Sequence, residues 1–278
     1  MIAVPNLPQA LEKGLRAQQD DWGDDKLHVS DLAVAIGEKC ALQLWLRLSG
    51  AKQRELTPGQ MLMFRHGQRI HKDLVDLIGE GLPAGWEIQA VEKQVQLGEI
   101  TGRYDTRLFH ETGVEIIVDW KTMRGRAFGW LKEAKPAHVL QVQSYVTAAD
   151  ADAGLIFYVD REGQNAARQF YVQRDDERVW WAVEQARAVR DGDILGVMEP
   201  QLQIKQNKGP DSVYLKQPWQ CEYCEFLDVS CQGALPYNCR ELGIVGKVSE
   251  DKFTPSAGIP EGVEGLVRDL LDAEKVPF

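Results

Sequence analysis

The sequence predicts a mixed α/β fold in which helices flank a central β-sheet. Apolar residues recur at three- and four-residue spacing in the first third of the chain, which predicts helices there. Three strand-like segments follow one another at 88–97, 100–109 and 114–120, with Gly98 and Gly113 at the turns. A helix, two further strands near 154–159 and 167–172 and a long helix come next. Consecutive strands followed by strands that alternate with helices indicate a mixed sheet.

Four helices are predicted around these strands. The first begins at an N-cap serine, Ser30, and contains Cys40. The second places His71 on or beside its buried stripe. In the fourth, we expect Trp180 and Trp181 to lie in the core. The predicted ranges are 30–48, 61–78, 136–149 and 176–190.

Composition restricts the class of protein. Charged residues make up 27% and hydrophobic residues 44% of 278 residues, as in globular proteins with a sizeable core. No run of eighteen apolar residues and no secretory leader pattern is present, so we expect a cytosolic protein without a membrane span. The net charge of −10 counts against a nucleic-acid partner, although a local basic groove can lie on an acidic protein.

A carboxylate cluster is predicted at the end of the third strand. Asp119 and Lys121 are two residues apart in a strand, so their side chains project from the same face. Asp105 lies in the neighbouring predicted strand and can reach the same metal ion. Carboxylates are the ligands that Mg²⁺ prefers, and a bound metal activates water. A lone Asp-x-Lys, by contrast, is usually a solvated surface pair.

Four short motifs occur in a fixed order along the chain. They are GQRIH, beginning at Gly67, GRYD at Gly102, VDWKT at Val118 and QVQSY at Gln141. In this order they resemble the motifs of RecB-type nucleases in the PD-(D/E)XK superfamily. The resemblance covers roughly residues 28 to 232 and implies a restriction-endonuclease-like fold that hydrolyses phosphodiester bonds of DNA.

The resemblance also implies roles for single residues. The metal would be Mg²⁺ or Mn²⁺, and Lys121 would be the catalytic lysine beside Asp105 and Asp119. Glu115 shares a face with Asp119, but we interpret it as structural. The implied metal ligands are His71, Asp105, Asp119 and the backbone carbonyl of Trp120, and the residues that orient the site are Gln141 and Tyr145.

The segment after Lys121 is rich in basic and aromatic residues. Arg124 and Arg126 are placed to contact phosphates beside the metal. Phe128 and Trp130 could stack on the bases of a single strand. A solvated loop with packed aromatic side chains explains the same pattern equally well.

Four of the five cysteines lie within nineteen residues, from Cys221 to Cys239. Cys221-x2-Cys224, followed by Cys231, fits either a structural zinc or an iron–sulfur cluster, and the spacing does not choose between them. The resemblance implies the iron–sulfur branch of the family, which includes CRISPR-associated RecB-like exonucleases and the AddAB-type nuclease. Its pattern implies a 4Fe-4S cluster that joins the N-terminal helix to the C-terminal segment. The implied ligands are Cys40, Cys221, Cys224 and Cys231, with Cys239 as the alternative fourth.

The sequence therefore predicts a metal-dependent exonuclease or flap-type nuclease on DNA, with single strands or free ends as the expected substrate. We expect an N-terminal extension over 1–27, a nuclease domain with the cysteine cluster over 28–239 and a tail of unknown role over 240–278. Family members act in recombination, repair, phage DNA metabolism and CRISPR adaptation, so a larger complex in a prokaryotic or phage-infected cell is expected. The alternatives are a non-catalytic DNA-binding or assembly module and a zinc-stabilised nuclease.

Overall fold

The computed structural model describes residues 6–17, 25–162, 167–194, 196, 198–235, 237, 239–250 and 252–273. The chain forms two compact units. The first comprises Met1–Gly50 and Glu55–Leu195, and the second comprises Ala51–Arg54 and Gly196–Phe278. The predicted boundaries after residues 27 and 239 remain predictions, and residues 1–5 and 18–24 of the predicted extension, with 274–278 of the tail, lie outside the described residues.

The first unit contains six α-helices and five strands among its described residues. Helix α3 begins with a capping box, in which the Thr57 side chain accepts a hydrogen bond from the Gln60 amide. The elements are α1 (Leu7–Arg16), a 3₁₀ helix (Val29–Ile36), α2 (Ala41–Leu48), α3 (Pro58–Gly81), β1 (Trp86–Leu97), β2 (Ile100–His110), β3 (Glu115–Met123), α4 (Gly125–Gly129), α5 (Pro136–Ala149), β4 (Ala153–Asp160), β5 (Ala167–Gln173) and α6 (Asp176–Arg190).

The five strands form one mixed sheet in the order β1-β2-β3-β4-β5. Strands β3 and β4 are parallel, and the other neighbours are antiparallel. Parallel neighbours need a crossover, and α5 lies in the connection between β3 and β4. The predicted central mixed sheet flanked by helices is therefore confirmed.

Both faces of β3 are buried, which places the end of this strand inside the unit. Ile117 packs in the main core with Leu140 and Val146 of α5. Val118 and Trp120 belong to a second cluster, against which Leu74 and Ile78 of α3 pack. Helices α3 and α5 thus pack against opposite faces of β3, and side chains of both helices can reach the residues of this strand.

Two helix predictions were wrong. The predicted helix over 30–48 is broken, because Gly37 ends the 3₁₀ helix in the left-handed conformation and Cys40 takes the N-cap position of α2. Trp180 and Trp181 are 43% and 46% exposed, instead of lying in the core. Helix α6 buries its smaller apolar residues instead, namely Val179, Ala182, Val183 and Ala186.

The second unit contains a four-stranded sheet in the order β6-β7-β8-β9. Two of these strands come from the polar segment over 200–220, in which the sequence analysis identified no strand. The described elements are β6 (Gln201–Ile204), a 3₁₀ turn (Gln206–Lys208), β7 (Ser212–Lys216), α7 (Trp219–Glu222), α8 (Cys239–Leu242), β8 (Gly246–Ser249), β9 (Lys252–Pro255) and α9 (Glu261–Asp272). No helix in the described part of the chain has the length and apolar character needed to cross a bilayer.

Candidate active site

The ladder between β2 and β3 ends at the Thr106–Val118 pair, one residue before the two predicted aspartates. Beyond that pair, the Trp120 amide donates a hydrogen bond of 2.8 Å to Asp105 Oδ2. The Trp120 indole Nε1 donates to Thr106 Oγ1 at 2.9 Å. A carboxylate thus takes the place of a backbone acceptor, and Trp120 fixes the position of Asp105.

Asp119 and Lys121 lie together, as the strand alternation predicts. Lys121 Nζ is 2.8 Å from Asp119 Oδ2, and the Asp119 side chain is only 2% exposed. This oxygen nevertheless accepts no hydrogen bond of normal geometry. A buried carboxylate oxygen with only an ion-pair contact retains capacity for another cation.

Helix α5 positions Lys121 through a chain of hydrogen bonds. Lys121 Nζ donates to Gln141 Oε1 at 3.1 Å, and Gln141 Nε2 donates to the Tyr145 hydroxyl at 3.1 Å. Burial raises the pKa of Tyr145, and nearby Asp119 acts in the same direction. Tyr145 therefore remains a phenol at neutral pH and supports Gln141, which in turn holds the ammonium group of Lys121.

The glycine of the GRYD segment has a steric role. A Cβ at Gly102 would lie 2.6 Å from Val29 Cγ2 and 2.8 Å from Tyr145 Cε1. Any larger residue would push β2 away from the 3₁₀ helix and α5. Gly102 thus allows the backbone of β2 to approach closely, three residues before Asp105.

His71 reaches Asp105 from α3. Its Nδ1 lies 3.8 Å from Asp105 Oδ2, with side chains 26% and 16% exposed. Burial lowers the pKa of His71, and the charge of Lys121 acts in the same direction. The imidazole is therefore neutral at neutral pH, which is the form that binds metal ions.

The carboxylates are close enough to affect one another. Burial raises the pKa of Asp105 to about 7, and the charge of Asp119 adds to the shift. The hydrogen bond from the Trp120 amide and the charge of Lys121 oppose it. Two acidic groups that are held close together in spite of this repulsion indicate a cation-binding site.

A third acidic residue, Glu92, joins the site and was missed in the sequence. One ligand atom each of His71, Glu92 and Asp105 lie within 4.8 Å of one another. An imidazole nitrogen and carboxylate oxygens are suitable donors for Mg²⁺ or Mn²⁺, so the residues fit the metal that the motifs imply. Its strand showed no motif around Glu92, so the sequence offered no signal for it.

The basic segment after β3 is only partly as predicted. Arg124 and Arg126 are exposed, and the Arg126 guanidinium lies 4.9 Å from the Trp130 ring centroid. Trp130 is 70% exposed. Phe128 is 1% exposed, so of the two explanations left open by the sequence, the packed aromatic side chain applies to this residue and base stacking does not. Its ring packs in the core and lies 4.7 Å from the Arg168 guanidinium carbon.

The C-terminal cysteines lie in two different environments of the second unit. The Cys224 amide donates to the Cys221 carbonyl, which closes a turn between them. Cys231 Sγ accepts a hydrogen bond of 3.3 Å from the Gly233 amide. Cys239 instead packs against the apolar core of this unit, and its Sγ lies 3.6 Å from the Tyr237 carbonyl as a donor. Cys40 belongs to the first unit.

A comparison with known protein families gives a match over the region that contains the four motifs. The model of the PD-(D/E)XK nuclease superfamily matches residues 23–232. No curated protein sequence matches the chain significantly.

Several solved structures are similar to this chain at low sequence identity. SSO0001 is 17% identical with a TM-score of 0.49, and the match covers 82% of this chain and 96% of that chain. A phage-related exonuclease from Haemophilus somnus 129PT is 17% identical, with a TM-score of 0.42 and coverage of 60% and 92%. An alkaline exonuclease from Laribacter hongkongensis is 12% identical, with a TM-score of 0.43 and coverage of 65% and 90%.

The family match spans most of the chain and includes every residue placed around Asp105 and Asp119. The mixed sheet carries Asp105 on β2 and Asp119 in the middle of β3, just beyond the end of the ladder between these two strands. The chain belongs to the PD-(D/E)XK nuclease superfamily.

Proposed function

We propose that the protein is a metal-dependent deoxyribonuclease, with an exonuclease preference for single strands or free ends. The observation that carries the proposal is the contact of Lys121 with Asp119, 2.8 Å long, beside the buried Asp105. An ammonium group and two carboxylates at one point suit the hydrolysis of a phosphodiester. Arg126 and the exposed Trp130 support a single-stranded substrate, since phosphates and bases would meet a cation and an aromatic ring.

In this mechanism, Asp105, Asp119, His71 and the Trp120 carbonyl would hold the divalent ion. When bound, the ion lowers the pKa of water and stabilises the charge of the transition state. Lys121 places its ammonium beside the attacking water or the scissile phosphate, and Gln141 holds Lys121 in that position. Tyr145 fixes Gln141 through its hydroxyl. Arg124 and Arg126 contact phosphates of the strand.

The test is cleavage of end-labelled single- and double-stranded DNA with Mg²⁺ or Mn²⁺. We expect cleavage by the wild type and a loss of at least about a hundredfold in Lys121→Ala, as for other charge-stabilising groups. Lys247→Ala, an exposed lysine of the second unit, is the matched control. The position of the label gives the polarity. DNA binding by the wild type without cleavage under any metal would favour a binding module instead.

We also propose that the protein belongs to the iron–sulfur branch and holds a 4Fe-4S cluster with Cys40, Cys221, Cys224 and Cys231. The environments of the cysteines support Cys231 over Cys239 as a ligand. An amide N–H directed at Cys231 Sγ stabilises a thiolate. Burial raises the pKa of the Cys239 thiol and so favours the protonated form, which does not bind metal. If metal analysis of the purified protein finds zinc and no iron, the site is a zinc site and not an iron–sulfur cluster.

The proposed cellular role rests on the proposed iron–sulfur branch. We propose that the protein acts on DNA ends in recombination, repair, phage DNA metabolism or CRISPR adaptation, within a larger complex. Co-purification of tagged protein from a native host, with and without nuclease treatment, tests for such partners. Recovery of the chain alone under both conditions would contradict a stable complex.

A further inference from the structure

We infer that Glu92 is an additional ligand of the metal site and that Arg103 competes with the metal for it. The inference rests on the proposed nuclease function and adds a residue that none of the four motifs contains. Its basis is the position of Glu92 across from Asp105, the convergence of ligand atoms there and the exchangeable contact with Arg103.

The register of the β1–β2 hairpin sets Glu92 opposite Asp105. Val91 pairs with Thr106 and Lys93 pairs with Tyr104, so the residues between them face one another. Like charges directly opposite on antiparallel strands destabilise a sheet. A cation between the two carboxylates removes this repulsion.

The local backbone departs from a regular strand at this point. The register shifts between Ile88 and Ala90, and Glu92 has a φ of 52°. The side chain of Glu92 therefore leaves the simple alternation of β1. One of its carboxylate oxygens comes within 4.8 Å of ligand atoms of both His71 and Asp105.

A second observation at the site also points to a cation. Asp119 is 2% exposed, and its Oδ2 accepts no hydrogen bond of normal geometry, although Lys121 Nζ lies nearby. The charges of Asp119 and Glu92 both act on His71 and on Asp105. The groups thus share one electrostatic site, where the negative charge exceeds what Lys121 alone neutralises.

Arg103 provides Glu92 with a partner in the absence of metal. Arg103 Nε lies 2.7 Å from Glu92 Oε2, and the two side chains are 58% and 43% exposed. Ion pairs with this exposure contribute little to stability, so a divalent ion can displace the guanidinium at small cost. Release of Arg103 on metal binding would leave a cation at the edge of the site.

The test is a titration with Mn²⁺ alone, followed by calorimetry and by electron paramagnetic resonance of the free ion. We expect Glu92→Gln to weaken Mn²⁺ binding by about tenfold or more, as loss of one carboxylate donor does. Arg103→Gln should strengthen binding several-fold, because the competitor is gone. Glu87→Gln, an exposed glutamate of the same strand, is the control and should bind as the wild type does. Circular dichroism confirms that each variant is folded.

The outcomes separate this inference from the proposed function. Equal affinities of Glu92→Gln and Glu87→Gln, with measurable binding by the wild type, would overturn the assignment of Glu92 alone. Unchanged affinity in Arg103→Gln would overturn the competition. No Mn²⁺ binding by the wild type would overturn both the assignment and the metal-dependent nuclease.

Discussion

As a proposed metal ligand, Asp105 would couple the protonation of the site to metal binding. In the folded, metal-free protein its pKa is raised to about 7 by burial and by Asp119, well above the value of an exposed carboxyl. Folding therefore takes up a proton between about pH 4 and 7, and this group makes the metal-free protein less stable as the pH rises through that window. A divalent ion reverses the effect because it binds the carboxylate form.

We predict that Mn²⁺ affinity increases as the pH is raised toward 7, by up to about tenfold per pH unit, and levels off above pH 7. The reason is that the ion displaces one proton from Asp105. His71 adds no slope near neutrality, since burial lowers its pKa. Calorimetry in buffers of different ionisation enthalpy, from about pH 5.5 to 8.5, measures both affinity and proton release. Constant affinity and no proton release across this range would contradict the raised pKa of Asp105.

At the scale of elements, α3 carries a glycine that the protein itself does not require. Gly67 lies in the helix interior, one turn before His71, and apart from the adjacent turns of the helix no atom of the described residues lies within 4 Å of a Cβ placed there. Glycine is about 0.5–1 kcal/mol less favourable than alanine at such a position. Space left open beside a proposed metal ligand suggests that the DNA strand approaches α3 at Gly67.

We predict that Gly67→Ala raises the melting temperature by about 1–4 °C but slows cleavage, because the methyl group occupies space that the substrate needs. Gly81→Ala, at the last residue of the same helix and equally open, is the matched control. It should be stabilised without any loss of activity. Equal cleavage rates for the two variants would mean that the substrate stays away from Gly67.

The segment that contains α4 carries the proposed base-stacking residue, Trp130. We predict that Trp130→Ala weakens binding of single-stranded DNA by about five- to a hundredfold, because stacking contributes roughly 1–3 kcal/mol per base. Trp181→Ala on α6 removes a ring that is 46% exposed and serves as the control. Fluorescence anisotropy with labelled oligonucleotides and no divalent metal measures binding without cleavage. If both variants lose the same affinity, or neither loses any, Trp130 has no stacking role.

Elements also mark the limit of what the sequence predicts. Residues 136–149 and 176–190 were predicted with the bounds that α5 and α6 have, because long periodic segments carry a strong signal. The strands of the second unit were missed because they have only four or five residues each. Glu92 was missed for another reason: a register shift and a left-handed residue place it, and alternation cannot reveal either.

At the scale of the whole molecule, charge and substrate must be reconciled. The chain carries a net charge of −10, yet the proposed substrate is a polyanion. Arg124 and Arg126 are exposed and follow Lys121 by three and five residues, so in the proposed function they would provide the local positive charge that phosphates require. Because the salt dependence of binding scales with the number of phosphates that are neutralised, binding through a few arginines should weaken only moderately as salt rises, and cleavage of bound strands should not change.

The proposed cluster ligands lie far apart in the sequence, with Cys40 in the first fifth of the chain and Cys221, Cys224 and Cys231 in the last quarter. A cluster that joins them would close a loop of about 180 residues, and clips that close long loops constrain the unfolded chain strongly in principle. The cluster would therefore act as a structural link whose loss affects the whole chain and not only one segment.

We predict that Cys40→Ser and Cys231→Ser, purified without oxygen, lose the brown colour and most of the iron and sulfide and unfold at a lower temperature. Cys239→Ser is the matched control, since its thiol packs against an apolar core and donates to a carbonyl. It should keep the colour, the metal content and the melting temperature. If Cys239→Ser loses iron and Cys231→Ser retains it, the fourth ligand is Cys239 and not Cys231. A colourless wild-type protein with stoichiometric zinc would show that the site holds zinc and no cluster, because a tetrahedral zinc site can use the same four thiolates.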